Sequence, residues 1–456
     1  KEHPSDNSIV RNFIWSPDNQ SIVIESVTSN LRERYILLVD LTKDRLDTLY
    51  RETSNNWIAD FGYQLYWIES EAKILFGMEY NSYNHLFLLD PTNGHYSALT
   101  RGKWDVKDYA LDATGKLVYF TATKDNPEQL QLYSAQIKTG EITDISYRGG
   151  NYSFQLSNNS RWIAEVFSNY STPPDLYWIE ASPQSKMNRI TDRPDSPLGK
   201  PLRKIPKSGT IQNAITGKPV NYRVWLPDDF RVNHKYPIIV VLNGADCLAP
   251  LTEAWRPECY FKQWLSDKGY IVVAVQYTDL RTAIEPADSE SFSDPLKIQL
   301  ADIQAVVKEI GKLQYVDLSR SGICGWGYGG YLATMAMFET DNIFRAGVAI
   351  LNDFSWSQSS SIYLNYMANL LANDQVFRKI DPHNFCYNLR RRLLVIQSAS
   401  STLPQLVDAQ RLIPELLSIR RPVDFYLYPW ENNPIIRSAN QYDMFIKTAR
   451  FFQLNL

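Results

Sequence analysis

The sequence predicts an all-β N-terminal part, residues 1–200, followed by an α/β part, residues 201–456. Residues 1–200 contain short apolar runs rich in Trp, Tyr, Ile and Val between turn residues, and one pattern recurs there four times. In residues 201–456, apolar strand patterns alternate with amphipathic helical patterns, which is typical of a parallel sheet covered by helices. A chain of 456 residues is also long enough for two or three domains.

The recurring pattern is an apolar strand, a polar turn and a second strand. Its copies begin at Tyr35, His85, Gln131 and Asp175, and their aligned positions lie 50, 46 and 44 residues apart. A further hairpin pattern precedes each copy, and two hairpins per period of about 45 residues are typical of a propeller blade. The sequence therefore predicts four β-propeller blades, and a β-sandwich is the alternative. Four blades are the lower limit for a closed propeller, so an incomplete ring is a further alternative.

The C-terminal part alternates strands with helices. We predict strands at Val220–Leu226, Tyr236–Leu242 and from Ile271, and helices at Tyr260–Lys268 and Leu300–Leu313. The strand at Tyr236 is a continuous apolar run, as in strands that are buried on both faces. This order predicts a doubly wound, mostly parallel sheet.

The segment GWGYGG, Gly325–Gly330, links the apolar run SGICGW to the helical pattern YLATMAMF. A strand, a sharp turn and a helix around such a motif form the nucleophile elbow of an α/β-hydrolase. A dinucleotide-binding loop is the alternative for closely spaced glycines, but the βαβ fingerprint that it requires is missing. We therefore predict β-propeller blades followed by an α/β-hydrolase domain.

The chain resembles the dipeptidyl peptidase IV branch of the prolyl oligopeptidase family of serine peptidases. Its GWGYGG is similar to the GWSYGG elbow of that branch, and Asn221–Gly244, Arg391–Gln397 and Phe425–Asn432 match other segments. The blades match as well, so the resemblance covers essentially the whole chain. The family's propeller usually has about seven or eight blades, so this chain corresponds to roughly half of such a ring.

The resemblance identifies three catalytic positions, none of which has the required residue. Serine hydrolysis on this fold needs a nucleophile, an acid and a base in the chain order Ser, Asp, His. These positions are Gly327, which has no hydroxyl, Ser401 in QSASSTL and Asn433 in YPWENNP. None of the five histidines follows His383, so the order cannot be completed. We predict a pseudoenzyme.

Other substrate contacts of the family are altered too. The tyrosine that binds the oxyanion aligns with Leu242 or Asn243, whereas the second donor, the backbone N–H of Tyr328, would remain. The resemblance also implies two remnants of the hydrophobic pocket for proline, Tyr363 and Tyr366.

Three functions are compatible with these residues. The leading hypothesis is a protein-binding accessory subunit, because complete loss of the triad is combined with retention of the elbow, the sheet and the blades. Inactive relatives of dipeptidyl peptidases act as auxiliary subunits of membrane proteins. Implied partners are therefore other protein subunits, including a missing N-terminal half of the propeller, and a membrane complex. The alternatives are a peptide receptor that uses the old substrate cavity and a hydrolase with a displaced nucleophile, for which Cys324 is the nearest candidate.

The composition excludes other classes of function. A formal net charge of -3 and a pI near 6.1 give no reason to expect a nucleic-acid partner. Four cysteines without a C-x-x-C spacing predict neither a disulfide framework nor a metal site, and no cofactor is predicted. No apolar stretch reaches the length of a membrane span. The resemblance implies an extracytoplasmic location, because the family includes periplasmic, secreted and cell-surface members.

Overall fold

The structure is a computed structural model that divides into two compact units, residues 1–203 with 252–256 and residues 204–251 with 257–456. It describes residues 8–54, 58, 64–191, 205–242, 254–278, 295–339, 343–350, 378–399, 403–431 and 435–456. Within these ranges, the side chains of residues 257, 295 and 403–408 are not described.

Sixteen strands lie in the described part of the N-terminal unit: β1 (Ser8–Trp15), β2 (Ser21–Thr28), β3 (Glu33–Asp40), β4 (Arg45–Thr53), β5 (Tyr66–Ile68), β6 (Lys73–Tyr80), β7 (Tyr83–Leu89), β8 (Tyr96–Ala98), β9 (Val106–Leu111), β10 (Leu117–Ala122), β11 (Gln131–Gln136), β12 (Ile142–Asp144), β13 (Asn151–Leu156), β14 (Trp162–Ser168), β15 (Asp175–Glu180) and β16 (Asn188–Arg189). Each consecutive set of four strands forms one antiparallel sheet, in chain order. The four sheets confirm the blades that the repeats predict.

Aspartates fix several of the hairpin turns between these strands. Asp40 and Asp90 each accept hydrogen bonds from the backbone N–H and the hydroxyl of the threonine two residues later, at 2.6–3.0 Å. Asp112 makes the same contacts with Thr114. A short acceptor side chain that binds its own backbone two residues on closes a turn locally. The recurrence of Asp-x-Thr therefore explains why hairpins of similar shape recur along the unit.

The first strands of the blades form an inner row. β1 contacts β5, and β9 contacts β13. Between these two pairs, the Tyr66 hydroxyl on β5 donates a hydrogen bond to the Tyr109 carbonyl on β9, at 3.3 Å. Apolar side chains fill the spaces between successive blades, for example Phe76 between the first two and Phe120 between the second and third. This is the arrangement of neighbouring propeller blades.

The described part of the C-terminal unit contains eight strands and five α-helices. The strands are β17 (Lys207–Gln212), β18 (Pro219–Trp225), β19 (Tyr236–Leu242), β20 (Ile271–Val275), β21 (Val316–Trp326), β22 (Ala346–Ile350), β23 (Arg392–Ser398) and β24 (Val423–Tyr428). The helices are α1 (Pro257–Asp267), α2 (Pro295–Gly311), α3 (Tyr328–Glu339), α4 (Leu403–Ser418) and α5 (Ser438–Asn455).

These strands form one sheet in the order β17-β18-β20-β19-β21-β22-β23-β24. All neighbours from β20 to β24 are parallel, and only the pairs made by β18 are antiparallel. The predicted doubly wound, mostly parallel sheet is therefore confirmed. Helices α1 and α2 begin earlier than predicted, at Pro257 and Pro295, because proline is favoured in the first turn of a helix, whereas the amphipathic pattern starts later.

Gly325 should be intolerant of any side chain, because β21 and α3 approach very closely there. A Cβ at this position would lie 2.1 Å from the Gly329 carbonyl oxygen. We expect Gly325→Ala to destabilise the C-terminal unit by about 3 kcal/mol. Gly217→Ala is the control: its left-handed φ of +67° gives a backbone penalty of only about 1 kcal/mol, and nothing lies within 4 Å of its Cβ. Urea unfolding followed by fluorescence measures both, and equal losses would contradict the close approach.

Glu165 should make the N-terminal unit less stable as the pH rises. Its side chain is 1% exposed on β14, and its Oε1 has no hydrogen-bond partner among the described residues. Burial raises the pKa of this carboxyl from 4.5 to about 7, although the charge of Arg148 offsets part of the effect. The folded state thus holds the proton more tightly than the unfolded state. We expect stability to fall by at most about 3 kcal/mol between pH 4.5 and 7.

Thermal unfolding across this pH range tests the expectation. Glu165→Gln should remove this part of the pH dependence and raise the melting temperature at neutral pH. Glu180→Gln is the matched control, because Glu180 is exposed on the neighbouring strand β15. A pH profile that Glu165→Gln leaves unchanged would contradict the assignment.

Candidate functional site

The predicted nucleophile elbow is present at the end of β21. Gly327 lies between β21 and α3 with a φ of +53°. Its N–H donates to the Ile350 carbonyl at 2.9 Å, and its carbonyl accepts from the N–H groups of Gly330 and Tyr331 at 2.9 and 3.1 Å. The sharp strand-to-helix turn is thus complete in its backbone hydrogen bonds. A serine here would need the left-handed conformation that glycine adopts with least penalty, so the turn is retained while the hydroxyl is absent.

A buried polar chain holds the residue that follows the elbow glycine. The Tyr328 hydroxyl donates to Gln299 Oε1 at 2.6 Å, and Gln299 Nε2 donates to the Thr278 carbonyl at 2.9 Å. The Thr278 N–H in turn donates to Asp302 Oδ2 at 2.6 Å. Asp302 also accepts a hydrogen bond from Asn213, and burial raises the pKa of its carboxyl. This series of hydrogen bonds connects α2 to the start of α3. The four residues that support Tyr328 in this way are Gln299, Thr278, Asp302 and Asn213.

Two of the residues predicted for the oxyanion region, Leu242 and Tyr328, lie in the described part of the chain. Tyr328 is the first residue of α3, and the first N–H groups of a helix have no intrahelical acceptor. The resemblance assigns its backbone N–H the role of the second oxyanion donor. Leu242 is paired with Gly325 across β19 and β21, so it ends its strand beside the elbow. Its side chain is fully buried and apolar and cannot donate a hydrogen bond.

The strands that precede the acid and histidine positions, β23 and β24, end side by side. The Ala399 N–H, just after β23, donates to the Tyr428 carbonyl at the end of β24, at 2.9 Å. Ser401 follows two residues after Ala399. Five of the predicted site residues lie outside the described part of the chain: Asn243, Tyr363, Tyr366, Ser401 and Asn433.

Glu431 fixes the segment around the histidine position. It is 1% exposed and accepts hydrogen bonds from the Ile436 N–H, at 3.1 Å, and from the Asn440 side chain. Burial alone would raise its pKa, but the hydrogen bonds from Asn440 and from the backbone of Ile436 and Arg437 outweigh this effect and lower it. The two ends of the segment that contains Asn433 are therefore held by one ionised side chain.

Cys324 is not suited to replace the missing nucleophile. It is fully buried in β21, and burial strongly raises the pKa of its thiol. A nucleophilic cysteine needs an accessible thiolate, which requires a lowered pKa. The contacts of His383 lie elsewhere: its Nδ1 is 2.6 Å from Glu415 Oε2, and its backbone N–H donates to the capping Asp381.

The described residues contain no group of three or more His, Cys, Asp and Glu side chains that could hold a metal ion. None of the described helices is both long enough and apolar enough to span a membrane.

Sequence reasoning missed the supports of the site, Gln299, Asp302 and Glu431. Gln299 and Asp302 lie on α2, whose amphipathic pattern predicts the helix but not the partners of its polar residues. Glu431 is part of YPWEN, a segment that matches the family, but no local pattern indicates that it closes the following loop.

Comparisons with known proteins agree with this architecture. Residues 2–174 match the family model of the dipeptidyl peptidase IV N-terminal region, and residues 260–456 match that of the prolyl oligopeptidase family. The structure of Porphyromonas gingivalis dipeptidyl peptidase 4 superposes with a TM-score of 0.82 and 19% identity, covering 100% of this chain and 65% of that one. This likeness confirms the fold, propeller blades followed by an α/β-hydrolase domain.

Two curated relatives are similar over most of the chain. Human dipeptidyl peptidase 8 is 25% identical over 385 residues, which are 79% of this chain and 42% of that protein. A probable dipeptidyl peptidase 4 of Aspergillus fumigatus is 26% identical over 396 residues, with 80% and 47% covered. The chain thus spans less than half the length of these relatives. Together with the blades, the sheet and the elbow, these matches show that the chain belongs to the dipeptidyl peptidase IV branch of the prolyl oligopeptidase family.

Proposed function

We propose that this protein is a catalytically inactive, dipeptidyl-peptidase-like accessory subunit that binds other proteins. The observation that carries the proposal is Gly327, which occupies the nucleophile position of an otherwise complete elbow. Glycine has no side-chain nucleophile, so this position cannot form the acyl-enzyme on which the reaction depends. The relatives are named as peptidases. This chain differs from a serine peptidase at the reacting atom, because Gly327 lacks the hydroxyl oxygen of the nucleophile.

The remaining chemistry also favours an inactive protein. An active site of this kind needs a histidine after β24, and the chain has no histidine beyond His383. Stable retention of the elbow does not argue for activity, because Gly325, Gly327 and the polar chain from Tyr328 support the packing of α3 against the sheet. The elbow is therefore explained as a structural element of the C-terminal unit.

An exposed apolar surface on the first blade supports the proposal of a protein partner. Phe13 pairs with Ile24, and Trp15 with Ile22, across β1 and β2, so these four side chains share one face. Phe13 is 64% and Trp15 51% exposed, whereas the opposite face of the blade, which includes Val23, is buried against the second blade. An exposed, contiguous apolar face of this kind marks an interaction site. We call it the first-blade face.

The partner that fits the first-blade face is another blade. Within this unit, blades bind each other through faces of the same apolar kind. The curated relatives are also about twice as long as the matched part of this chain. We propose that further blades, the missing N-terminal half of the propeller, cover this face, on the same polypeptide or on a separate subunit. Association with a membrane complex and an extracytoplasmic location belong to the same proposal.

A peptide receptor is the second candidate. It is supported by the position of Tyr328, which begins α3 directly after the elbow glycine. Leu242, one of the two residues that align with the oxyanion tyrosine, counts against preserved substrate contacts, because its buried apolar side chain cannot donate a hydrogen bond.

We expect no release of product from a chromogenic Gly-Pro anilide above the rate in buffer. Loss of a serine peptidase nucleophile and base costs about 10⁶-fold in kcat. Gly327→Ser should stay inactive as well, because a serine hydroxyl without a histidine has no base to accept its proton. A family member with an intact triad is the positive control. Hydrolysis that disappears when the Gly327 loop is altered would overturn the proposal.

Native mass spectrometry of the isolated material tests the accessory role. We expect the 52.6 kDa chain to associate with additional polypeptide, and Phe13→Ser with Trp15→Ser to abolish that association. The matched control is Tyr147→Ser with Tyr442→Ser, because these aromatic side chains are also exposed but lie outside the first-blade face. A chain that stays monomeric with a fully exposed first-blade face would contradict the accessory role and favour the peptide receptor.

A further inference from the structure

A cavity of about 510 Å³ lies along the inner strands of three successive blades. Its walls include Tyr66 of β5, Asp108 and Tyr109 of β9, and Phe154 of β13. All of these residues belong to the N-terminal unit, far in sequence from the elbow. We call this space the inner-strand cavity. Its volume lies within the range of about 300–1,000 Å³ that is typical of small-ligand sites.

Asp108 places a negative charge in this cavity. Its Oδ1 accepts a hydrogen bond from the Tyr109 N–H at 2.9 Å, and no lysine or arginine among the described residues forms an ion pair with it. Burial raises the pKa of its carboxyl, as expected for a carboxylate that is partly removed from water without a neighbouring cation. Burial and the charge of Asp108 together raise the pKa of Tyr66 to about 12. The carboxylate and Tyr66 thus line the same cavity, and none of its described lining residues is a lysine or an arginine.

The aromatic side chains beside Asp108 are held in place before any ligand binds. The rings of Tyr66 and Tyr109 meet edge to face, with their centroids 6.0 Å apart. The Tyr66 hydroxyl donates to Gln64 Oε1 and, at 3.3 Å, to the Tyr109 carbonyl, and the Tyr109 hydroxyl donates to the Gln64 carbonyl. Both rings are therefore held by hydrogen bonds to Gln64, just before β5, and to β9. A preorganised wall of this kind reduces the entropy that is lost on binding.

A second large cavity differs from the inner-strand cavity in the charges that line it. A groove of about 610 Å³ between the first two blades also contains carboxylates. There, Asp40 pairs with Lys43 at 2.9 Å, and Asp47 pairs with Arg45 at 2.6 Å. The groove supplies its own cations, whereas the inner-strand cavity does not.

We propose that the inner-strand cavity binds a cationic side chain, arginine or lysine, that is presented by a peptide or a partner protein. A carboxylate forms strong, charge-assisted hydrogen bonds with guanidinium and ammonium groups. Aromatic rings attract the same groups through their negative faces. The combination therefore selects for positive charge and against neutral side chains of the same shape. The inference goes beyond the proposed function, because it depends neither on the loss of catalysis nor on the first-blade face.

Calorimetry with Nα-acetylarginine amide tests the site, and Nα-acetylcitrulline amide is the neutral control of nearly the same shape. We expect the arginine compound to bind with a Kd of about 10 mM or tighter and the citrulline compound to bind at least about tenfold more weakly. Asp108→Asn should weaken arginine binding about tenfold. Asp47→Asn, in the other groove, should leave it unchanged.

Asp108→Asn is expected to fold, because Asp108 is an exposed residue of β9 and asparagine keeps the shape of its side chain. Circular dichroism and the melting temperature check this. The comparison of arginine with citrulline on the unaltered protein needs no variant at all. Absence of heat at about 10 mM ligand, equal binding of the two compounds, or unchanged binding by Asp108→Asn would each overturn the proposal.

Discussion

The C-terminal unit depends on the close contact between the end of β21 and the start of α3. The absence of a Cβ at Gly325 allows the Gly329 carbonyl to approach, and the left-handed conformation of Gly327 then turns the chain directly from strand to helix. The first turn of α3 consequently lies at the carboxyl end of the sheet, where ligands bind in open α/β folds. Leu242 and the ends of β23 and β24 are located by the same sheet. A catalytic site requires all of this geometry in addition to its reactive groups.

The geometry and the chemistry of this site are therefore separable. The backbone turn, the helix N-terminus and the polar chain behind Tyr328 are present, while the hydroxyl that would react is absent at Gly327. A glycine at this position is compatible with the fold because the conformation there is one that other residues adopt at a cost. A glycine at this position avoids the backbone strain that a serine would have and leaves the packing of α3 intact. The proposed loss of the reaction would thus not require loss of the domain.

Local patterns explain what the sequence predicted correctly. The four blades follow from a period of about 45 residues, and the elbow follows from closely spaced glycines between a strand and a helix. Partners that are far apart in the chain have no such signal: Asp302 binds Asn213, 89 residues away. Glu165 belongs to the strand WIAEVFS and lies on its buried face with Ile163 and Phe167. Such placements depend on the neighbouring blade, which no local pattern of this strand specifies.

The protonation of Glu165 has a consequence for calorimetry. At a pH between 4.5 and 7, the carboxyl is mainly protonated in the folded blade and mainly ionised in the unfolded chain. Unfolding therefore releases up to one proton per molecule, and the buffer absorbs it. The heat measured for unfolding then includes the ionisation enthalpy of the buffer. The same protein at the same pH would show different apparent unfolding enthalpies in buffers with different ionisation heats. The size of this difference gives the number of protons that unfolding releases from between the third and fourth blades.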